Sequence, residues 1–397
     1  MADAPTITLP LLRLGRLELG PGLRDLPPGS AATGLVVTAT VPVPDQPADQ
    51  PQAWGVAWAD AAREAAELGA DQDTAQALVT GAGDALAGGT RTAGGTRIVV
   101  AARGEVLLGR WLAPGAAVTE VQIGPLPRLL AAAAAAARRP AYVVVLADRH
   151  GSDVIAHASG DQLPAQRFPA DDRPGAQHDP HPDRPPMQLH GERHLTDSEP
   201  ESGGQRNAEF VAGRVAQAAQ SVGAHVVLGA GDQHILDAVA AHLPDSVGPI
   251  ATIAGGRQAG GRDDHLAAAI GAALDEITAA AISAVGDQVA SLAGGPSPAA
   301  VRGIGAVAEQ LAEQQVAVLL VAADVSREAA AGSSYRIGIR PTEFLVDDPD
   351  TGVEVPLEDG LAWAALHQDA IVVLLPDRSG PLDGEPAAAL LRRGSAG

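Results

Sequence analysis

Two glycines and a glutamine at residues 203–205 are of residue types that can do chemistry together. The stretch 201–210 reads ESGGQRNAEF and lies between a long irregular segment and a helical pattern. Two glycines permit positive φ angles and close approach of a backbone to RNA. Gln205 offers a backbone N–H and an amide, which can orient a water and stabilise a developing oxyanion. We therefore predict Gly203, Gly204 and Gln205 as a reactive tripeptide, with the alternative that the glycines only begin a helix.

Four histidines in the segment before this tripeptide form a second candidate site, for a metal ion. His178, His181, His190 and His194 lie in a stretch that also carries Asp179 and Asp183. A zinc site needs three or four convergent ligands in fixed geometry. The interleaved Pro, Asp and Arg residues instead favour a solvated loop, so we expect no metal and no cofactor.

The tetrapeptide Gly-Ala-Gly-Asp occurs twice, at 81–84 and 229–232. It resembles the anion-hole motif of ribokinase-type sugar kinases, in which the aspartate is the base. The first copy falls inside a helical pattern, and the second follows a predicted strand, where Asp232 can cap the next helix. A non-ribosomal small-molecule enzyme that depends on Asp84 or Asp232 therefore remains a remote alternative.

Composition limits the classes of partner and site. The chain of 397 residues contains no Cys and no Lys, so disulfides, thiolate metal sites and lysine contacts are excluded. The net charge of −21 argues against a broad basic field for nucleic acid, so any RNA contact must be local and use arginine. Arg138-Arg139 and Arg392-Arg393 are small basic spots, which we interpret first as helix ends. The N-terminus lacks a signal-peptide pattern, and we expect a cytoplasmic protein without a membrane span.

Hydrophobic periodicity predicts three domains that mix α/β and α+β organisation. The first, 1–138, combines a strand, two helices, a hairpin that turns at Arg103-Gly104 and an Ala-rich helix. The second, 139–258, alternates strands with helices and contains an irregular loop at 160–204, which is long enough to be functional. The third, 259–397, begins with a long helix and is predicted to end in a helix at 385–393.

The order of these parts resembles the bacterial relatives of the archaeo-eukaryotic class 1 release factor, and in particular the actinobacterial family-2 branch. The segments that carry the resemblance are GPLP through YVVV at 124–145, DRHGSDV at 148–154, RNAEFVA at 206–212, GPLDG at 380–384 and AAALLR at 387–392. Together they place the resemblance over about residues 30–395.

The resemblance implies a release-factor-like, tRNA-shaped protein with a mixed-sheet middle domain and a C-terminal domain similar to kink-turn-binding ribosomal proteins. The first domain would reach the decoding centre, and Gly203, Gly204 and Gln205, with Arg206 against RNA, would reach the peptidyl-tRNA end. The third domain would dock elongation factor Tu or another translational GTPase. Relatives divide between ribosome hibernation in the A site and hydrolysis of peptidyl-tRNA on stalled ribosomes.

One departure from the family narrows the expected function. The lysine-containing stop-codon motif of the family cannot occur in a chain without Lys, so stop-codon reading is not expected. The prediction is therefore an A-site-binding translation factor homologue with a role in ribosome hibernation or stalled-ribosome protection under stress. The alternative is a peptidyl-tRNA ester hydrolase that uses Gly-Gly-Gln.

Overall fold

The computed structural model divides the chain into two compact units. The first unit contains residues 1–140, 159–162 and 274–397, and the second contains 141–158 and 163–273. The structure describes residues 11, 13–26, 35–43, 50–83, 95–112, 119–148, 151–159, 166–168, 200–256, 264–294, 299–325, 335–338 and 352–392.

The N-terminal part of the first unit is an antiparallel sheet covered by two helices. Its elements are α1 (Pro21–Arg24), β1 (Val36–Pro42), α2 (Gln50–Glu67), α3 (Gln72–Gly83), β2 (Thr96–Ala102), β3 (Glu105–Leu112), β4 (Glu120–Gly124) and α4 (Leu130–Ala137). The strand order is β3-β2-β1-β4. Trp54 packs with its ring centroid 5.7 Å from that of Trp58 and 5.5 Å from that of Trp111. These large rings fill a core in which most other side chains are Ala or Val.

The second unit is a mixed five-stranded sheet with helices on it. Its elements are β5 (Tyr142–Asp148), β6 (Gly151–His157), β7 (Gln166–Phe168), α5 (Pro200–Val222), β8 (Val226–Gly231), α6 (Gln233–Ala240) and β9 (Ile250–Thr252). The strand order is β7-β6-β5-β8-β9, with β5, β8 and β9 parallel. Val145 and Val154 are buried in one cluster with Val211, Val215 and Leu236 of the two helices. The predicted mixed sheet of the middle domain is confirmed.

The prediction that residues 160–204 form one irregular loop is wrong at its end. Helix α5 begins at Pro200, and β7 occupies Gln166–Phe168. Proline is favoured at the first helical position, and Glu201 complements the positive end of the helix dipole. These local preferences extend the helix beyond the Arg206 start that the apolar periodicity indicates.

A long helix, α7 (Asp264–Leu292), connects the second unit to the rest of the first. Its stretch His265–Leu292 is long and apolar enough to cross a membrane by length and composition alone, which is weak evidence for a span. Ala281, Val285 and Val289 recur on one face and are buried in a cluster with strand residues of the first unit. This spacing is typical of a helix that packs on a sheet.

The C-terminal part of the first unit contains a second sheet. Its elements are β10 (Ala300–Arg302), α8 (Ile304–Ala312), β11 (Val316–Ala322), β12 (Tyr335–Gly338), β13 (Gly352–Val355), α9 (Leu357–His367), β14 (Ile371–Leu375) and β15 (Ala387–Leu391). The strand order is β10-β15-β11-β14, and β12 pairs with β13.

The terminal helix predicted at 385–393 is wrong. Residues Ala387–Leu391 form the strand β15 between β10 and β11, and all five are at most 4% exposed. Alanine and leucine favour helix in isolation. Burial within the sheet overrides that propensity, because strand preference depends mainly on packing against neighbours.

One buried cluster of the first unit draws on both ends of the chain. It includes Leu23, Ile98 and Leu129 together with Leu319 and Leu357. The predicted boundary at 138/139 lies two residues from the end of the first segment of this unit at Pro140. The division into independent domains 1–138, 139–258 and 259–397 stays a prediction.

A buried carboxyl group in the first unit carries an electrostatic cost. Asp359, in the first turn of α9, is 4% exposed and lies 3.2 Å from Arg128 Nε through its Oδ2 atom. Burial raises the pKa of Asp359 to about 7, although Arg128 opposes the shift. The carboxyl lines a cleft of about 80 Å³ whose walls include Gln122 and Pro125.

We expect Asp359 to make folding stability fall as pH rises from about 4 to about 7. In this window the folded state keeps the proton that the unfolded state releases near pH 4, so the lost stability is roughly 4 kcal/mol at most. Asp359→Asn cannot ionise and should remove this part of the pH dependence. It should also raise the free energy of unfolding at pH 8 by about 1–3 kcal/mol. Urea unfolding at several pH values measures both effects.

Asp60→Asn is the matched control for this substitution. Asp60 lies in the same unit and pairs with Arg63 at 3.3 Å, but its side chain is 62% exposed. Its replacement should remove none of the pH dependence that is assigned to Asp359. A slope in Asp359→Asn equal to that of the original chain would contradict the assignment.

Candidate functional site

The parallel strands of the second unit end together and form one edge of the sheet. Strand β5 ends at Asp148, β8 at Gly231 and β9 at Thr252. Because the three strands are parallel, their carboxyl ends meet on the same side. In open sheets of this kind, ligands bind in the crevice outside the carboxyl ends. We call this the carboxyl edge.

Helix α5 begins at the carboxyl edge. The next element after α5 in the chain is the parallel strand β8. A helix that connects into a parallel strand runs antiparallel to that strand, so α5 starts at the edge where the strands end. Ala208 in α5 is buried and shares a cluster with Ala147 at the end of β5. The residues just before Ala208 therefore lie at this edge.

The predicted tripeptide lies in the helix and not at a loop tip. Gly203, Gly204, Gln205 and Arg206 all have helical backbone within α5. A glycine inside a helix costs about 1 kcal/mol relative to alanine, because its backbone loses more freedom. Two adjacent glycines make the start of α5 intrinsically weak. The roles predicted for these four residues stay predictions.

The turn between β8 and α6 is tightly constrained. Gly231 has a φ of 119°, and a Cβ there would lie 1.9 Å from the carbonyl oxygen of Ala147. The Asp232 N–H donates to that oxygen at 2.9 Å, and Asp232 Oδ1 accepts from the His234 N–H at 3.0 Å. Asp232 is therefore the N-cap of α6, as its position after a strand indicates.

The described part of the other copy of Gly-Ala-Gly-Asp is helical. Residues Gly81 to Gly83 are the end of helix α3, and Asp84 lies outside the described residues. The capping role of Asp232 accounts for the copy at 229–232 without a ligand. The described residues of the copy at 81–84 belong to helix α3.

A buried serine at the carboxyl edge was not predicted from the sequence. Ser152 is 1% exposed, and its Oγ atom has no hydrogen-bond partner among the described residues. A buried hydroxyl without a hydrogen-bond partner lowers the free energy of unfolding by about 1–3 kcal/mol. The signal that indicates its position is the alternation along β6, which puts Ser152 on the same face as the buried Val154 and Ala156.

The remaining sequence candidates are structural or lie outside the described residues. His178, His181, His190 and His194 are outside them with Asp179 and Asp183, and no group in the described part of the chain can hold a metal ion. Arg138 caps α4 at its C-terminal end. Arg139 pairs with Asp275 at 2.6 Å, and Arg392 donates to the Val316 carbonyl oxygen at 3.0 Å. The interpretation as a helix end agrees with Arg138 and is wrong for Arg392, which follows the strand β15.

A comparison with family models gives a match that covers the second unit and the whole of α7. Residues 141–294 match the model of bacterial archaeo-eukaryotic release factor family 2. The match covers the carboxyl edge and the whole of α5. A comparison with curated proteins gave no match.

Solved structures with some similarity include Pelota and Dom34 proteins. Pelota from Archaeoglobus fulgidus is 14% identical, with 76% of this chain and 81% of that chain covered and a TM-score of 0.32. A model of ribosome-bound archaeal Pelota is also 14% identical, with 76% and 78% covered and a TM-score of 0.38. Dom34 from S. cerevisiae is 10% identical, with 74% of each chain covered and a TM-score of 0.35. These scores are too low to support an argument about shared geometry.

The resemblance inferred from the sequence is thus supported by the family model over the stretch that contains the predicted tripeptide. The described residues form a mixed α/β structure with two compact units. We conclude that residues 141–294 of the chain are similar in sequence to the bacterial archaeo-eukaryotic release factors of family 2.

Proposed function

We propose that this protein binds the ribosomal A site and protects hibernating or stalled ribosomes under stress. The observation that carries the proposal is the helical backbone of Gly203, Gly204 and Gln205, within a stretch that matches a release-factor family. The protein would then bind the ribosome without presenting the tripeptide in an extended loop.

The helical form is poorly suited to ester hydrolysis. Hydrolysis by this tripeptide requires the Gln205 N–H and amide to approach the developing oxyanion. In the second turn of a helix, a backbone N–H is expected to bond within the helix instead of to a substrate. The helical backbone of the tripeptide therefore supports ribosome binding over ester hydrolysis as the main activity.

The charge of the chain shapes how it would bind RNA. With a net charge of −21 and no Lys, the protein would contact rRNA or the peptidyl-tRNA end locally, with Arg206 as one contact. The rest of the binding energy would come from a protein partner, such as elongation factor Tu or another translational GTPase. Such a ligand should show only a modest dependence of affinity on salt.

Peptidyl-tRNA hydrolysis is the second candidate function. It is favoured by the two glycines in the helix start, since their low helix propensity lets this turn open at small cost. In the opened form Gln205 would orient a water at the ester, and Gly203 and Gly204 would allow close approach.

We expect the purified protein to cosediment with vacant 70S ribosomes at near-physiological salt, and more strongly when elongation factor Tu·GDP is present. Doubling the salt should weaken binding by less than about tenfold, because few phosphate contacts are made. Quantitative pelleting at two salt concentrations measures this. Absence of binding at every salt, with and without the GTPase, would contradict the proposal.

The variant Gly203→Ala with Gly204→Ala separates the two candidate functions. It should raise the free energy of unfolding by about 1–2 kcal/mol, because alanine favours the helix, and leave ribosome binding within about twofold. Release of a labelled peptide from peptidyl-tRNA should remain near background in both proteins.

Gly213→Ala is the matched control for the double variant. Gly213 lies in the same helix, and a Cβ there would meet nothing within 4 Å. If the original chain and Gly213→Ala release peptide while the double variant does not, hydrolysis replaces protection as the function.

A further inference from the structure

The cleft beside Asp359 has the size and the lining of a site for one polar side chain. Its walls come from strand β4 and the turn after it on one side, and from the end of β13 and the start of α9 on the other. All of these residues belong to the first unit. Its volume of about 80 Å³ leaves room for several water molecules, and therefore for the planar head of one side chain.

The cleft contains hydrogen-bond acceptors that the described residues do not satisfy. Asp359 is 4% exposed, and no described residue donates a hydrogen bond to its Oδ1 atom. Gln122 lines the same cleft, and its buried Oε1 atom has no hydrogen-bond partner among the described residues. Arg128 lies 3.2 Å from Asp359 through its Nε atom, with a side chain that is 45% exposed. The cleft therefore suits a ligand that brings several donors.

The charges around the cleft favour a cation over an anion. Glu358 is 6% exposed beside Asp359 and acts on it as a like charge. Gln122 donates through its amide to Glu120, which adds a third carboxyl group. Arg128 is the one cation among the described residues that line the cleft. A phosphate or carboxylate ligand would meet this surplus of negative charge, whereas a cation would be attracted.

The other elements that pack against α9 do not reverse this balance. Helix α4 and strands β11 and β14 contain no titratable side chain, and α8 contributes only the exposed Glu309. Glu354 of β13 is the register partner of Arg336 of β12, so these two charges offset each other. His367 lies at the opposite end of α9, about 12 Å along the helix. The groups that act on the Asp359 carboxyl are therefore Arg128 and Glu358.

The walls of the cleft suit a guanidinium better than an ammonium group. Besides its polar residues, the cleft is lined by Ile123, Pro125, Leu126, Val355 and Pro356. A guanidinium is planar, is weakly hydrated and carries five donors, whereas an ammonium is a compact and strongly hydrated charge. An arginine head therefore loses less hydration in such a cleft and has donors for both acceptor oxygens.

The cost of Asp359 to stability agrees with a binding role. Burial raises its pKa to about 7, so the ionised carboxyl destabilises the fold at neutral pH. Groups with strongly perturbed pKa values recur at functional sites. A cation in the cleft would compensate the buried charge that Arg128 alone leaves at this cost.

We propose that this cleft binds the guanidinium of an arginine side chain presented by a basic partner protein, with the Asp359 carboxylate as its counter-ion and Gln122 Oε1 as a second acceptor. The net charge of −21 favours a basic partner, because complementary charge steers association. The inference goes beyond the ribosome binding proposed above and does not depend on it.

A nuclear magnetic resonance titration of the full chain with a blocked glycine-arginine-glycine peptide tests the site. The amide shifts of Gly124 and Gly360, which lie at the two walls of the cleft, should move and saturate. The same peptide with citrulline in place of arginine keeps the shape without the charge. It should bind at least about tenfold more weakly, because charge-assisted hydrogen bonds are about twice as strong as neutral ones.

The affinity for the arginine peptide should rise roughly tenfold between pH 6 and pH 8. A cation binds the ionised carboxyl, and with a pKa of about 7 the ionised fraction of Asp359 grows from about a tenth to about nine tenths over this range. In Asp359→Asn the pH dependence should vanish, and the affinity at pH 8 should fall at least about tenfold. Asp60→Asn removes an exposed carboxyl of the same unit and should leave the affinity within about twofold.

Absence of saturable shifts at Gly124 and Gly360, equal binding of the citrulline peptide, or an affinity that Asp359→Asn leaves unchanged each overturns the proposal. An affinity that does not change between pH 6 and pH 8 does so too. Because no ribosome is present in this titration, its failure is distinguishable from a failure of ribosome binding.

Discussion

The parallel pairing of β5 with β8 is the constraint on which the candidate site depends. Val143 to Ala147 align with Val227 to Gly231 in parallel register, so both strands end at the same edge. The helix between them must then run backwards across the sheet and begin at that edge. No interaction of the tripeptide itself is needed to bring it there. The burial of Val145, Val211 and Val215 in one core fixes the helix in place.

Two opposing local preferences act on the backbone conformation of the tripeptide. Pro200 and Glu201 favour a helix start, whereas Gly203 and Gly204 weaken the same turn. Ala208, Val211 and Val215 are buried and anchor the helix from Ala208 onwards. In the first turns the local preferences oppose each other, and the backbone there is helical.

Much of the fold follows from hydrophobic patterning, and the rest depends on tertiary burial. Apolar β-branched runs predict β5, β8 and β11, and the Arg103-Gly104 turn predicts the β2–β3 hairpin. The Ala-rich strand β15 could not be recognised, because its sequence favours helix until the neighbours β10 and β11 bury it. The sequence pattern does not predict the first turns of α5, because these turns are polar and the apolar periodicity begins only after them. Ser152 carries no motif, and only the register of β6 with β5 reveals its position.

The Cα chemical shifts of Gly203, Gly204 and Gln205 in the free protein test the central claim most directly. The account predicts helical shifts at all three residues, continuous with those of Asn207 and Ala208 and reduced in amplitude by transient opening. Random-coil or extended shifts at the tripeptide, with helical shifts starting only at Arg206, would contradict it. That result would restore the loop presentation of Gln205 and make hydrolysis the leading function.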